Sequence, residues 1–512
     1  MSSNEFDAMV RATRWSAISP YIDPDGPEGI LSKFPISAPL HGAIQPEDFQ
    51  MMPLLKAMQM PRISLLIADD VGLGKTIEAG LIISELIIRR RIRKMLVITP
   101  ASLKNQWCEE MYQKFSIHLD IVDRDTTSDL KRKMGLDANP WRTYQKIVAS
   151  YHYLKQPDIL EQFCAASRRR DDSPHLPWDL LIVDEAHNLA PAPIGEQSDL
   201  TKMLSAISPL FEHKIFLTAT PHNGHTRSFT GLLEKLDPVR FHQTSELKGA
   251  AERRVRDVLV RRLKKEINQK SSVQRFCERA LTGLKVNLHS DEKLLSDAFR
   301  DFRSKIRMLV AQFSGSERLA GTFAVEILGK RLLSSPYTFA DSWHRYLDGM
   351  RSNDVTDASD VNAARKSVID DLDDDLEAES RMQFAAVTVG SWLKPFSGSI
   401  DAEVRNVNFA LEQCHLNGSG IAEPVHDCRY DALLGFVNIH LRNGKSWVAD
   451  ERLIVFTEYK TTLDYLQNRL KAEFNDEKAI LILYGGMDSS EREEIKRSFN
   501  DPDDPVRILI AT

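Results

Sequence analysis

A chain of 512 residues, 42% apolar and 27% charged, has room for two to four domains with real cores. The formal charge of -6 argues against a general polyanion binder; seven acids lie in residues 370–379, and without them 67 basic residues face 66 acidic ones, so any basic groove is local. Five scattered cysteines without a C-x-x-C indicate neither a disulfide framework nor a zinc site, the N-terminus has no apolar core of signal-peptide length and no apolar run approaches a membrane span, so a cytoplasmic protein without a membrane partner is expected.

Residues 1–38 read as a loosely structured lead-in, rich in proline and glycine. From residue 47 the pattern turns helical and carries Gln50, whose amide can offer a donor and an acceptor to an adenine edge. Residues 65–76, LLIADDVGLGKT, read as a buried strand breaking into a phosphate-cradling loop. Gly72 and Gly74 can take the backbone angles that turn N–H groups onto a triphosphate, Lys75 would reach its β- and γ-phosphates, and Thr76 would hold Mg²⁺. Asp70, Leu73 and Ile77 complete the expected nucleotide contacts, and the helix from about 76 to 89 aims its positive end at the same anion. One departure stands out: the strict pattern has glycine where this chain has Asp69. The basic run at 89–94 either caps that helix or forms a nucleic-acid patch.

Strand-like runs at 95–99, 146–150, 180–184 and 214–218 alternate with helical stretches, which argues a parallel sheet flanked by helices with ligands at the carboxyl ends of its strands. Thr99, Ser102 and Ser150 lie at such ends, where hydroxyls can bind phosphodiester oxygens; helix capping by Ser102 or Ser150 is the alternative. The strand at 180–183 delivers Asp184-Glu185-Ala186-His187. Asp184 is expected to hold Mg²⁺ through its waters, and Glu185 to orient and deprotonate the attacking water. Thr218 and Thr220 would relay the nucleotide state from His187.

DDVGLGKT, TPASL with NQW, DEAH and LTATPHNG, in this order, resemble the first motor lobe of superfamily 2 helicase-like ATPases. SFTGLLEKLDP (228–238), VLVRRLKKEI (258–267) and KRLLSSPYTF (330–339) resemble the SNF2 branch, especially its bacterial members. The resemblance implies an α/β fold: a RecA-like lobe at 39–238, a helical SNF2-type insertion at 239–348, and an incomplete second RecA-like lobe at 426–512. It also implies a DNA-gripping helical protrusion carrying Arg261, Arg262, Lys264 and Lys265, with Arg253, Arg254 and Arg256 just before it. A solvated helix face paired with Glu252, Asp257 and Glu266 is the alternative. Residues 349–425 read as an acidic, partly disordered insertion, either a solvated linker or a DNA mimic.

The implied activity is ATP hydrolysis, with Mg²⁺, that drives translocation along double-stranded DNA without sequence specificity. A nucleotide-gated DNA clamp without useful turnover and an RNA helicase are the alternatives. Both RNA-polymerase-recycling ATPases and helicase-like components of anti-phage systems such as DISARM look similar; the reading leans to defence, with other subunits of a defence or transcription complex as partners. No stretch after Met487 resembles the second-lobe arginine finger, worth roughly 10³ to 10⁵ in rate. The expectation is therefore a truncated or split product that binds ATP and turns it over poorly.

Overall fold

The computed structural model describes residues 36–168, 175–193, 197–222, 224–270, 274–277, 279–313, 315–352, 356–369, 374–417 and 423–512. Most of the expected lead-in, residues 1–35, thus lies outside the described residues. The chain divides into two units, Met1–Ala280 and Leu281–Thr512.

In the first unit, helix α1 (Asp48–Met58) precedes β1 (Ser64–Ile67), α2 (Lys75–Ile88), β2 (Met95–Thr99), α3 (Lys104–Phe115), β3 (Asp120–Ile121) and β4 (Lys146–Ser150). Next come α4 (Pro157–Ala166), β5 (Trp178–Val183), α5 (Asp199–Ile207), β6 (Phe211–Leu217), α6 (Thr226–Leu236), α7 (Ala250–Val258), β7 (Leu259–Val260) and α8 (Lys264–Lys270). The seven strands form one parallel sheet in the order β3-β4-β2-β5-β6-β1-β7. Parallel strands are covered on both faces, so their sequences are nearly continuous apolar runs, as in MLVIT of β2. Alternate side chains divide between the faces. Leu65, Ile67, Val97, Ile182 and Ile215 pack with Leu54, Ile82 and Trp107 on one side, while Leu66, Leu96, Ile98, Leu181 and Phe216 pack with Trp141, Phe163 and Leu232 on the other. Strands β5 and β6 begin two and three residues before the expected positions, at Trp178 and Phe211, because both rings are buried and stack with Phe163 in that second layer.

The first lobe does not end at 238. Leu259 and Val260 pair with Leu66 and Ile67, making β7 the sheet's edge, so residues 239–280 belong to this unit and not to a helical insertion.

The second unit opens with α9 (Ser290–Val310), α10 (Gly315–Ser334), α11 (Pro336–Arg351), α12 (Ala358–Ile369), α13 (Asp375–Leu393) and α14 (Ser397–Gln413). On α9, Leu295, Phe299, Phe302, Ile306 and Val310 recur at helical spacing and are all buried, against Phe339, Trp343 and Tyr346 of α11. The expected disordered insertion at 349–425 is instead largely helical and contributes Val361, Ala385, Val389 and Val407 to this core. Its glycines mark a close helix crossing: a β-carbon on Gly349 would lie 2.1 Å from the Val387 carbonyl oxygen, and one on Gly390 would lie 2.0 Å from that of Tyr346. Of the acidic run, residues 370–373 lie outside the described residues. Asp374 caps α13 by accepting from the Leu376 and Glu377 N–H groups, and Asp375 accepts from the Gly485 N–H and the Thr512 hydroxyl.

Helix α15 (Cys428–His440) leads through a short hairpin, β8 (Arg442–Asn443) and β9 (Ser446–Trp447), into β10 (Leu453–Phe456), α16 (Lys460–Phe474), β11 (Ile480–Leu483), α17 (Ser489–Asn500) and β12 (Ile508–Ala511). Strands β10, β12 and β11 make a second, three-stranded parallel sheet in that order.

Candidate nucleotide site

The sheet order puts β6 between β1 and β5, so the loops leaving the carboxyl ends of these three strands are neighbours. Those loops carry the GKT, TAT and DEAH sequences.

After β1 the backbone turns at Gly72 (φ +78°) and Gly74 (φ +89°), left-handed angles that glycine adopts without penalty, and α2 starts at Lys75. Glycine at 74 is required twice, since a β-carbon there would lie 2.6 Å from Gln50 Nε2. Gln50 is buried; its Nε2 donates to the Leu73 carbonyl at 3.0 Å and its Oε1 accepts from the Glu47 N–H at 3.1 Å. The amide expected at the adenine edge therefore ties α1 to the loop and retains one N–H for a ligand. Leu73 is buried, whereas Thr76 and Ile77 are half-buried. Lys75 Nζ donates to the Asp69 carbonyl at 3.1 Å.

The departure at Asp69 has a structural reason. Its carboxylate is fully buried and accepts from the Arg262 N–H at 2.8 Å, from Arg262 Nε at 3.1 Å, and from Arg262 Nη2. The same Nη2 donates to Glu78 Oε1 on α2 at 2.5 Å. Burial, and second the Asp69 charge, pushes the Glu78 carboxyl up to about 9, so it is neutral at physiological pH. The strand end and the loop are zipped together by further bonds: Ala68 N–H to the Val260 carbonyl at 2.7 Å, Asp70 N–H to that of Arg262 at 3.0 Å, and Lys264 N–H to Asp70 Oδ2 at 2.9 Å. Expected on a DNA-gripping protrusion, Arg262 is thus enclosed behind the phosphate loop, and Lys264 lies beside it with Nζ 3.3 Å from where a β-carbon on Gly72 would sit. Arg261 and Lys265 are exposed.

Beyond β5, Asp184 is buried with both oxygens engaged. Oδ2 accepts from Trp107 Nε1 at 2.8 Å and from the Thr99 hydroxyl at 3.4 Å, and Oδ1 accepts from the Glu185 N–H at 2.9 Å. Burial and the neighbouring Glu185 charge raise its carboxyl above the usual range, while the Trp107 N–H opposes the rise. Glu185 has φ +44°, a rarely populated angle for a non-glycine residue, of the kind that gathers at functional sites. The hydrogen bond from His187, 3.2 Å away, holds the Glu185 carboxyl below its ordinary value. The charge of Lys75 lowers both the Asp184 and the Glu185 carboxyl, so the phosphate-loop lysine lies within electrostatic reach of the two acids. His187 Nδ1 also meets the Thr218 hydroxyl at 3.0 Å, and that oxygen accepts the Thr220 N–H at 3.1 Å, so Thr220 joins this hydrogen-bonded chain through its backbone.

Two hydroxyls expected to face nucleic acid are already used. Thr99 is buried against Asp184, and the buried Ser150 caps a helical turn by accepting from the Tyr153 N–H at 3.0 Å. Ser102 is exposed. Sequence reasoning missed Trp107 as a site residue, although it lies in the quoted NQW and a buried indole N–H calls for an acceptor. It missed Glu78 altogether.

The residues fit a Mg²⁺-nucleotide. Among the described residues no group of three His, Cys, Asp or Glu could hold a metal alone, and one hydroxyl with one carboxylate suits an ion that keeps its waters and shares phosphate oxygens. No helix among the described residues is long and apolar enough to cross a membrane.

Residues 50–295 match the SNF2-related domain, and residues 438–512 match the helicase conserved C-terminal domain. The RNA polymerase-associated protein RapA of Yersinia enterocolitica is 37% identical over 191 residues, 36% of this chain and 18% of that protein. RapA of Serratia proteamaculans is 36% identical over 187 residues, 36% of this chain and 17% of its own length. The matched part therefore spans less than a fifth of these relatives. Among solved structures, the Sulfolobus solfataricus SWI2/SNF2 ATPase core in complex with dsDNA aligns over 92% of this chain and 79% of its own, at 17% identity and a TM-score of 0.35. The Pyrococcus furiosus Hef helicase domain aligns over 91% and 86%, at 14% and 0.42. With an SNF2-related domain followed by a helicase C-terminal segment, the chain belongs to the SNF2-type branch of the superfamily 2 helicase-like ATPases.

Proposed function

We propose that this chain is the ATP-binding part of a motor that hydrolyses ATP to move along double-stranded DNA. The observation that carries the reading is the convergence of Lys75, Asp184 and Glu185 at neighbouring strand ends. Phosphoryl transfer asks the protein for positioning and charge balance, and these groups supply both. Lys75 and the N–H groups of the 72–76 turn would hold the phosphates. Thr76 and Asp184 would hold the magnesium ion, which when bound neutralises developing phosphoryl charge. Asp184, with both oxygens engaged, would act through the ion's waters. Glu185, ionised at neutral pH because His187 stabilises its charge, would orient the attacking water and accept its proton. His187, Thr218 and Thr220 form a hydrogen-bonded path from that carboxylate toward the next strand end. Exposed Arg253, Arg256 and Arg261, with Lys265, supply a local basic surface for backbone phosphates without base readout.

The test is ATP hydrolysis with and without duplex DNA or single-stranded RNA, beside a Glu185→Gln control. Stimulation by duplex that the control abolishes supports the motor. Stimulation by RNA alone assigns a helicase acting on RNA. Binding of ATP and DNA without turnover, in a version extended past Thr512 as well, would sink the motor and leave the clamp.

A second reading concerns the partner. The segment shared with proteins named RNA polymerase-associated favours a transcription complex, whereas the anti-phage reading rests on the sequence resemblance alone. Co-purification with RNA polymerase core enzyme separates the two.

A further inference from the structure

Lys264 was expected to meet DNA, yet it lies in the wall of the phosphate loop. Its position is fixed by the backbone: Lys264 N–H donates to Asp70 Oδ2 at 2.9 Å, and the preceding Arg262 is held by Asp69. Its ammonium lies over the Phe276 ring, 5.5 Å from the centroid, and beside Gly72 at the lip of the loop. Among the described residues it makes no ion pair with a carboxylate. The floor below it is also built. Asn268 accepts from the Arg275 and Phe276 N–H groups at 3.1 and 3.0 Å and donates to the Phe276 carbonyl at 2.8 Å, and Phe276 packs edge-on to Phe49, the neighbour of Gln50. Between this floor and the loop opens a cleft of about 770 Å³, lined by Lys264, Lys265, Gln269, Gln274 and Arg279. Its one carboxylate, Asp70, already takes the Lys264 N–H. A cleft with three cations, three side-chain amides and a single carboxylate, opening directly from a phosphate loop, has the chemistry for a polyphosphate with a polar nucleoside attached.

We propose that Lys264 is a second phosphate-binding lysine of this site, gripping the phosphate chain at the Gly72 lip, and that the cleft beyond it takes the nucleoside end. This rests on the reading of the 65–76 loop as an ATP site, and the experiment separates the two. Binding of a fluorescent ATP analogue with Mg²⁺ is measured for the 512-residue chain and for Lys264→Met, Lys264→Arg, Lys265→Met and Lys75→Ala, each also titrated with duplex DNA. Methionine keeps the stem over Phe276 and removes only the charge. Lys264→Met should weaken the nucleotide about tenfold, Lys264→Arg should recover most of it, and duplex affinity should not change. If Lys75→Ala abolishes nucleotide binding while Lys264→Met binds as the parent does, this inference is overturned and the ATP site stands. Loss of duplex affinity with nucleotide affinity intact overturns it too, returning Lys264 to DNA. If the parent binds no nucleotide, or Lys75→Ala binds it equally well, the ATP reading fails and this inference with it.

Discussion

Replacing Arg262 by alanine removes the guanidinium shared by two fully buried carboxyl groups, Asp69 and Glu78. The two do not suffer alike. Glu78 is neutral, held up to about 9 chiefly by burial, so losing the cation leaves it a poorly satisfied but uncharged acid. Asp69 is stranded as a buried charge, retaining the backbone N–H at position 262 and the hydrogen bond from the protonated Glu78 carboxyl. Breaking a buried pair costs about 3–5 kcal/mol, and because one acid stays neutral and the other keeps a donor, about 3 kcal/mol is expected at pH 7. At pH 4.5 and below, where the acid is protonated folded and unfolded alike, Glu78→Gln should cost under about 1 kcal/mol, since an amide replaces a protonated carboxyl of the same shape and keeps an acceptor for Arg262. The sign of the pH effect follows from linkage. The folded chain retains the Glu78 proton up to about 9, while the unfolded chain releases it near 4.5, so stability is full below 4.5 and falls as pH rises toward 9. Glutamine removes that slope, and its advantage over the parent should grow from pH 5 to pH 9. Amide hydrogen exchange of β1 and α2 peptides at increasing urea measures the local stability at each pH. If Glu78→Gln loses as much as Arg262→Ala, or its difference from the parent does not change with pH, the assignment of a neutral Glu78 is wrong.

Two further outcomes test other parts of the structure. Gly390→Ala should destabilise the helical part of the second unit by about 1–3 kcal/mol, because the added methyl meets the Tyr346 carbonyl at 2.0 Å; thermal unfolding that leaves Tm unchanged would refute the close crossing. Trp107→Phe keeps the buried ring and deletes the N–H donated to Asp184 Oδ2, so ATP turnover should fall about tenfold with its acidic limb moved to higher pH; an unmoved limb would show that Trp107 only packs.

What the sequence revealed was local. Strands β2 and β4 are short apolar runs ending in Thr99 and Ser150, the second opened by Lys146, and their bounds are visible residue by residue. The GKT and DEAH stretches are equally plain, because each puts its chemistry within a few residues of a strand end. Long-range pairing is not plain. Asp69 and Arg262 stand 193 residues apart, and nothing in the periodicity of either segment says that one charge is the other's partner. A basic stretch reads alike whether its cations face solvent, a phosphate or a buried acid. The same ambiguity hid the helices after Gly349: aspartate, asparagine, serine and alanine are the composition of a solvated linker and also of helices with one polar face, and the close crossing at Gly349 and Gly390 shows in neither segment's pattern.

The residue at 69 then bears on how the phosphate loop keeps its shape. Left-handed angles occur at Gly72 and Gly74, and Asp69 is not among the residues with positive φ, so glycine's freedom is not needed at that position. A side chain is therefore conformationally affordable there, and this one fixes the start of the loop to the Arg262 backbone and side chain. The loop is held at its middle by Gln50 through the Leu73 carbonyl, and at its end by α2, whose Glu78 shares the same guanidinium. A loop anchored at start, middle and end loses less entropy on taking a triphosphate than one ordered by the ligand itself. The anchors also tie the 259–264 strand end to the loop, so displacing either breaks hydrogen bonds made by the other, those of Arg262 foremost.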